Sequence, residues 1–229
     1  MSHYATSPKG NIWQRLNKKR LPAGYQQGLT LNRVERDILP YQCEWGAPGE
    51  LLIHPQASLT IRVTERVKTL FMAFIVFSRF SVTGRCGSAI NAQITVKTRG
   101  SLKQKHVHFI SKDEEGQAVV NLLKEYPIIA QTLEELDFNY FHLVIKDGVW
   151  HCEIEPFTAS EMVCRMPAIR RYLRLTPEQR HRLLSALQLF QQFMEKHYGN
   201  HWVWNVNLIV MFAIETLSQW KWMWNRYRY

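Results

Sequence analysis

The densest polar constellation in the chain is a group of six arginines: Arg165, Arg170, Arg171, Arg174, Arg180 and Arg182. An alternating segment over 168–175 puts Arg170, Tyr172 and Arg174 on one face, and Arg171 with Ile169, Leu173 and Leu175 on the other. Two guanidinium groups flanking a phenol can clamp a phosphate or a carboxylate and stack on a planar group. The competing reading is ion pairing with the stretch 113–161, which holds eleven acids against Lys124 and Lys146.

A second constellation lies in the tail, 199–229. Trp202, Trp204, Trp220, Trp222 and Trp224 are five of the chain's eight tryptophans, and Lys221, Arg226 and Arg228 are interleaved with them. Trp rings around an apolar centre, with cations beside them, suit contact with an acidic lipid interface. The apolar centre, 208–214, is only seven residues long, and Asn205, Asn207 and Glu215 interrupt its surroundings. A bilayer span needs about 20 residues, so the tail reads as interfacial rather than spanning. Trp220, Lys221, Trp222, Trp224 and Arg226 are its candidate contacts. Packing on the domain, self-association and base stacking are the alternatives.

Histidines offer a third kind of chemistry. His106 and His108 are two apart, hence on one face of a strand, and His142 and His151 share a face of an expected hairpin with Glu153. Catalysis or metal binding there would require these groups to line one pocket with His106 or His108. No nucleotide-loop, dinucleotide, zinc-protease or hydrolase signature occurs. Gly84-Arg85-Cys86-Gly87-Ser88 lacks the lysine of a phosphate loop and reads as a turn. No metal site and no cofactor is expected. Cys43, Cys86, Cys152 and Cys164 form no CxxC pair and read as free thiols of a reducing compartment.

The elements that must position these groups follow from periodicity. Thr30 is the expected N-cap of a helix carrying Leu31, Val34, Ile38 and Leu39, which Pro40 ends. Residues 59–67 and 90–97 alternate as half-buried strands, 70–77 is apolar throughout and reads as a strand buried on both faces, and 102–110 is a weaker strand. Asp113 and Pro127 start two helices. Asp147-Gly148 predicts a type I′ hairpin with Lys146 opposite Val149. Its core face is then Phe141, Leu143, Ile145, Trp150, Cys152 and Ile154, and its other face Tyr140, His142, Val144, His151, Glu153 and Glu155. Thr176-Pro177-Glu178-Gln179 opens a helix with a capping box, and Gly199 stops it. The expected fold is α+β, a large antiparallel sheet with a few helices packed on it. A helix–four strands–helix unit is suspected twice, over 30–126 and 128–198. A basic lead-in (1–28), one domain (29–198) and the tail make up the chain.

Apolar residues at 46% and charged residues at 21% fit a folded domain and exclude a disordered chain. Net charge is +10, so an anionic partner is favoured, and it is unevenly spread. Residues 1–34 carry six Lys/Arg and no acid, and 52–112 carry ten against Glu65 alone. The N-terminus has no apolar signal region, which with the thiols favours the cytoplasm. Leu136-Asp137-Phe138, 155–165 (Glu-Pro-Phe-Thr-Ala-Ser-Glu-Met-Val-Cys-Arg) and 170–175 resemble a family of uncharacterised proteobacterial proteins known only as a domain of unknown function, over about residues 20–195. That resemblance implies no catalytic residues. The expected function is therefore non-enzymatic: a cytoplasmic binding or adaptor protein, docking on an anionic membrane surface or a partner protein through its aromatic-basic tail and peripheral to the inner membrane face. A nucleic-acid binder using the basic stretches 9–20 and 97–112 is the alternative. An enzyme built on His142, His151 and Glu153 is third.

Overall fold

A computed structural model describes residues 21–101 and 104–199. Among these residues, ten antiparallel strands and four helices make an α+β fold with a large antiparallel sheet. The strands are β1 (Gln42–Trp45), β2 (Glu50–Gln56), β3 (Leu59–Thr69), β4 (Ala73–Arg85), β5 (Ala92–Ser101), β6 (Gln104–Ser111), β7 (Phe138–Lys146), β8 (Val149–Pro156), β9 (Ser160–Cys164) and β10 (Ile169–Leu173). The helices are α1 (Leu29–Ile38), α2 (Glu114–Lys124), α3 (Pro127–Glu134) and α4 (Pro177–Tyr198).

The strand order is β1-β2-β3-β4-β8-β7-β5-β6. β4 is the long central strand. One edge pairs with β3 from Phe74 to Ser81; the other pairs first with β9, from Ala73 to Phe77, and then with β8, from Phe80 to Arg85. β8 and β9 thus follow one another along the same edge, and β10 lies outside β9.

Alternation decides the two faces of the sheet. Ile61, Val63, Phe80, Val82, Ile94, Phe141, Leu143, Trp150, Cys152 and Ile154 point to one side and are buried. The helices cover that side, with α4 lying over β3, β4 and β8, and α2 over β5 and β6. Leu183, Leu187, Phe190 and Met194 form the buried stripe of α4, and Leu31, Val34 and Ile38 that of α1. No helix among the described residues lies on the opposite side, the open face.

The β7–β8 hairpin has the expected register, with Lys146 opposite Val149 and His142 opposite Glu153. Asp147 (φ 52°) and Gly148 (φ 73°) both take the left-handed conformation that this turn needs. Asp113 caps α2 by accepting from the Gly116 amide, Pro127 sits in the first turn of α3, and Thr176 with Gln179 closes the capping box of α4.

Four features differ from the sequence reading. Gly28, not Thr30, is the N-cap of α1, and it offers no side chain. The run 70–77 is not one buried strand. Leu70, Phe71 and Met72 form the exposed turn between β3 and β4, and the strand starts at Ala73. The first half of the chain holds six strands rather than about four, because residues 42–56 add the β1–β2 hairpin. Gly199 does end α4, but with extended backbone (φ −65°, ψ 155°) rather than a left-handed cap.

Candidate functional site

Arg170, Tyr172 and Arg174 do come together, on the helix-covered side of the sheet. Tyr172 donates its hydroxyl to Asp37 Oδ2 at 2.9 Å, Arg174 Nε donates to Asp37 Oδ1 at 3.0 Å, and the Leu175 amide donates to Asp37 Oδ2 at 2.9 Å. Arg170 Nε lies 3.4 Å from Glu161 Oε1, and Arg33 Nη1 lies 3.1 Å from the same oxygen. Thr30 donates to Glu161 Oε2 at 3.2 Å. Burial, then the charge and hydrogen bond of Asp37, push the Tyr172 phenol well above its ordinary pKa, so it stays a donor. The triplet thus ties α1 to the β9–β10 hairpin. Glu161 belongs to the acidic stretch named above, whereas Asp37 comes from outside it.

The open face is assembled from alternate residues of every strand pair. Register places Arg62, Arg66 and Lys68 of β3 beside Ser81, Phe77 and Ile75 of β4, and Arg79 beside Thr64. Glu153 and His151 of β8 lie beside Ser81 and Thr83, and Tyr140 and His142 of β7 beside Glu155 and Glu153. Thr95 and Lys97 of β5 lie beside Ile110 and His108 of β6.

A charge network runs through the middle of this face. Glu155 is fully buried. Arg66 grips it with two nitrogens, Nε at 2.6 Å from Oε2 and Nη2 against Oε1. Asn139 donates to Glu155 Oε1 at 2.7 Å; it is the extra residue of a bulge between Phe138 and Tyr140, which re-aims its side chain. Arg79 bridges Glu155 (3.5 Å) and Glu153 (3.2 Å) and stacks over the Tyr140 ring at 4.9 Å. Burial pushes the Glu155 carboxyl upward, but the hydrogen bonds of Arg66 and Asn139 and the charges of Arg66 and Arg79 prevail, so its pKa falls below the ordinary value. For Glu153, the His151 hydrogen bond is the main cause of a lowered pKa, and it outweighs burial. Burial, only partly offset by Glu153, keeps His142 below its usual pKa.

Every strand carboxylate on the open face has a basic partner among the described residues. Glu44 lies 3.7 Å from His54, Glu50 pairs with Arg62, and Glu153 and Glu155 share Arg79, His151 and Arg66. Lys68, Arg85, Lys97, Arg99, Lys146 and Arg171 are exposed on the same face, and none is paired with an acid among the described residues. The face is therefore neutral at its centre and cationic around it. Sequence reading placed His151, Glu153 and Glu155 on this face but missed Arg66 and Arg79 as their partners. Period-two alternation marks both arginines as outward, but nothing local pairs β3 with residues some 90 positions later.

The histidine chemistry separates into two parts. Thr83 Oγ1 and His151 Nδ1 are 2.7 Å apart, and His151 Nε2 lies 2.9 Å from Glu153 Oε1. This hydroxyl–imidazole–carboxylate relay has the connectivity of a nucleophile and its base. It lies on the open sheet face, and none of its three residues lines the cleft around Cys86–Gly148 or the one along Leu21–Thr69. His106 and His108 sit on β6, separated from His142 by β5. The pocket that the enzymatic reading requires does not form from these residues. No group of three or more His, Cys, Asp or Glu among the described residues is placed to hold a metal ion.

The Gly84–Ser88 loop has spent two of its amides. Cys86 N donates to Gly148 O at 2.8 Å, and Gly87 N donates to Tyr198 O at 2.7 Å. The four cysteines are free thiols. No helix among the described residues is long and apolar enough to cross a membrane. Trp220, Lys221, Trp222, Trp224 and Arg226 lie outside the described residues, as do the lead-in residues 1–20.

No curated protein and no solved structure matches the chain. A family model does: one described as a protein of unknown function, DUF3156, matches residues 36–194, from α1 through nearly all of α4, and the chain belongs to that family.

Proposed function

We propose that this protein is a non-enzymatic docking or adaptor protein whose open sheet face sits on an anionic membrane surface. In the proteobacterial setting that the resemblance implies, it works in the cytoplasm, peripheral to the inner membrane face. The observation that carries this reading is the charge balance of the open face. Its strand carboxylates all have basic partners, while Lys68, Arg85, Lys97, Arg99, Lys146 and Arg171 are exposed and pair with no acid among the described residues. Cations near an acidic lipid surface contribute about 1 kcal/mol each, within a Debye length. The tail residues Trp220, Lys221, Trp222, Trp224 and Arg226 supply aromatic and basic contacts of the same chemistry.

Co-sedimentation of the full chain with phosphatidylglycerol-containing and purely phosphatidylcholine vesicles tests the reading, with single-stranded RNA as a parallel ligand. Binding to the anionic vesicles alone, weakening with salt, is expected. Tight RNA binding without vesicle binding would move the protein to the nucleic-acid class. Absence of both would leave the basic face to a protein partner.

A further inference from the structure

We propose that the β3–β4 turn, with Phe71 at its tip, is a membrane-inserting wedge that enters an anionic bilayer. Phe71 is 98% exposed, which is exceptional for a phenylalanine in a folded domain. Leu70 and Met72 beside it are exposed as well, and so are Met162, Met166 and Ile169 of the neighbouring β9–β10 hairpin. These side chains form one apolar prominence at the end of the sheet where β3 turns into β4.

The prominence is rigid. Leu70 N donates to Ala73 O at 2.8 Å, closing the turn, and Arg165 N donates to Met72 O at 2.9 Å, tying it to the second hairpin. A preformed tip loses little freedom when it is buried. Its collar is cationic: Lys68, Arg165 and Arg171 are exposed around it, and neither 66–73 nor 162–171 contains an acid. Apolar side chains at the apex and cations behind them match the layers of an anionic bilayer, with acyl chains within and phosphates above. A second copy of the chain is a poorer occupant. A two-fold contact would press two cationic collars together.

The register puts Arg99 of β5 toward the same end of the sheet, since Thr95, His142, Glu153 and Ser81 lie in one row and β5 runs parallel to β3 from there. Lys68 and Arg99 can therefore meet a surface that the tip enters. This inference rests on the anionic-membrane reading and adds to it the inserting element.

The test uses the full chain with neutral substitutions, which keep the net charge unchanged: Phe71→Ser with Met72→Ser, and Phe71→Trp as the conservative variant. Binding to vesicles of equimolar phosphatidylglycerol and phosphatidylcholine is measured, together with insertion into monolayers of the same composition. Because the altered side chains are exposed, thermal melting should stay unchanged and report intact folding. The double serine variant should bind at least about tenfold more weakly and insert at lower surface pressure, with Phe71→Trp close to the native chain. Equal binding and insertion by the serine variant and the native chain would overturn the wedge and leave the basic face as the docking element. A native chain that does not bind these vesicles would overturn both the wedge and the anionic-membrane reading. A concentration-dependent dimer that the serine variant abolishes, without change in vesicle binding, would assign the tip to self-association and also overturn it.

Discussion

Gly84 on β4 faces Trp150 on β8 across the sheet, and a Cβ there would stand 2.6 Å from three atoms of the indole. Trp150 is buried among the core side chains and cannot swing away freely. Gly84→Ala should therefore cost about 1–3 kcal/mol of stability, read from urea unfolding, by overpacking rather than by turn strain. Glu155 is the second telling residue. It is buried and ionised between Arg66, Arg79 and Asn139, so Glu155→Gln should destabilise by about 1–3 kcal/mol, because partly exposed arginines recover some hydration. The pH dependence has a definite sign. Glu153, Glu155 and His142 all have folded pKa values below their ordinary ones, so each binds fewer protons when folded than when unfolded. Stability should be full above the ordinary histidine value of 6.5, fall as His142 is forced to protonate, and fall further below the ordinary glutamate value of 4.5 as the two carboxylates do. A melting temperature flat from pH 7 down to 4 would contradict this. The triplet Arg170, Tyr172 and Arg174 shows what sequence alone can reach at this scale. Its shared face followed from alternation, but Asp37, which holds Tyr172 and Arg174, is 135 positions before Tyr172 and carries no local signal.

At the scale of elements, α1 is the least self-sufficient. Its N-cap is a glycine without a side chain, and no acid lies in its first turn. Glu65 of β3 replaces both. Its Oε2 accepts from Gly28 N at 2.9 Å, and its Oε1 accepts from Thr30 N at 3.1 Å and Leu31 N at 3.2 Å. Tyr25 adds its hydroxyl to Oε2 at 2.6 Å. A carboxylate there both satisfies free amides and meets the positive end of the helix. Glu65→Ala should cost about 1–2 kcal/mol, and hydrogen exchange should quicken first at Gly28, Thr30 and Leu31. The misread N-cap has the same origin, since Thr30 looks like a cap to any local rule while the real one is supplied by another element. The β7–β8 hairpin is the opposite case. Turn chemistry, alternation and register all lie within 138–156, so they could be read directly. The apolar stretch 70–77 misleads because it contains a turn without glycine, proline or a polar residue, and three of its side chains serve the surface rather than the core.

On the scale of the whole molecule, one sheet has two unlike faces. One face is covered by four helices and buries the core. The other carries no helix among the described residues and is neutral at its centre and cationic around it. The excess of positive charge is legible in the composition, but that Lys68, Arg85, Lys97, Arg99, Lys146 and Arg171 share one face needs the strand order, which brings their strands into one sheet. Net charge alone would attract an anionic surface in any orientation. A docking face predicts that position matters. The most direct measurement is vesicle binding by two charge-reversed full chains of equal net charge, one with Lys97→Glu and Arg99→Glu on the open face, the other with Arg36→Glu and Lys124→Glu on the helix side. The first should lose about tenfold or more of its affinity for phosphatidylglycerol vesicles while the second stays close to the native chain. Equal losses by the two would show that overall charge, and not the open face, does the binding.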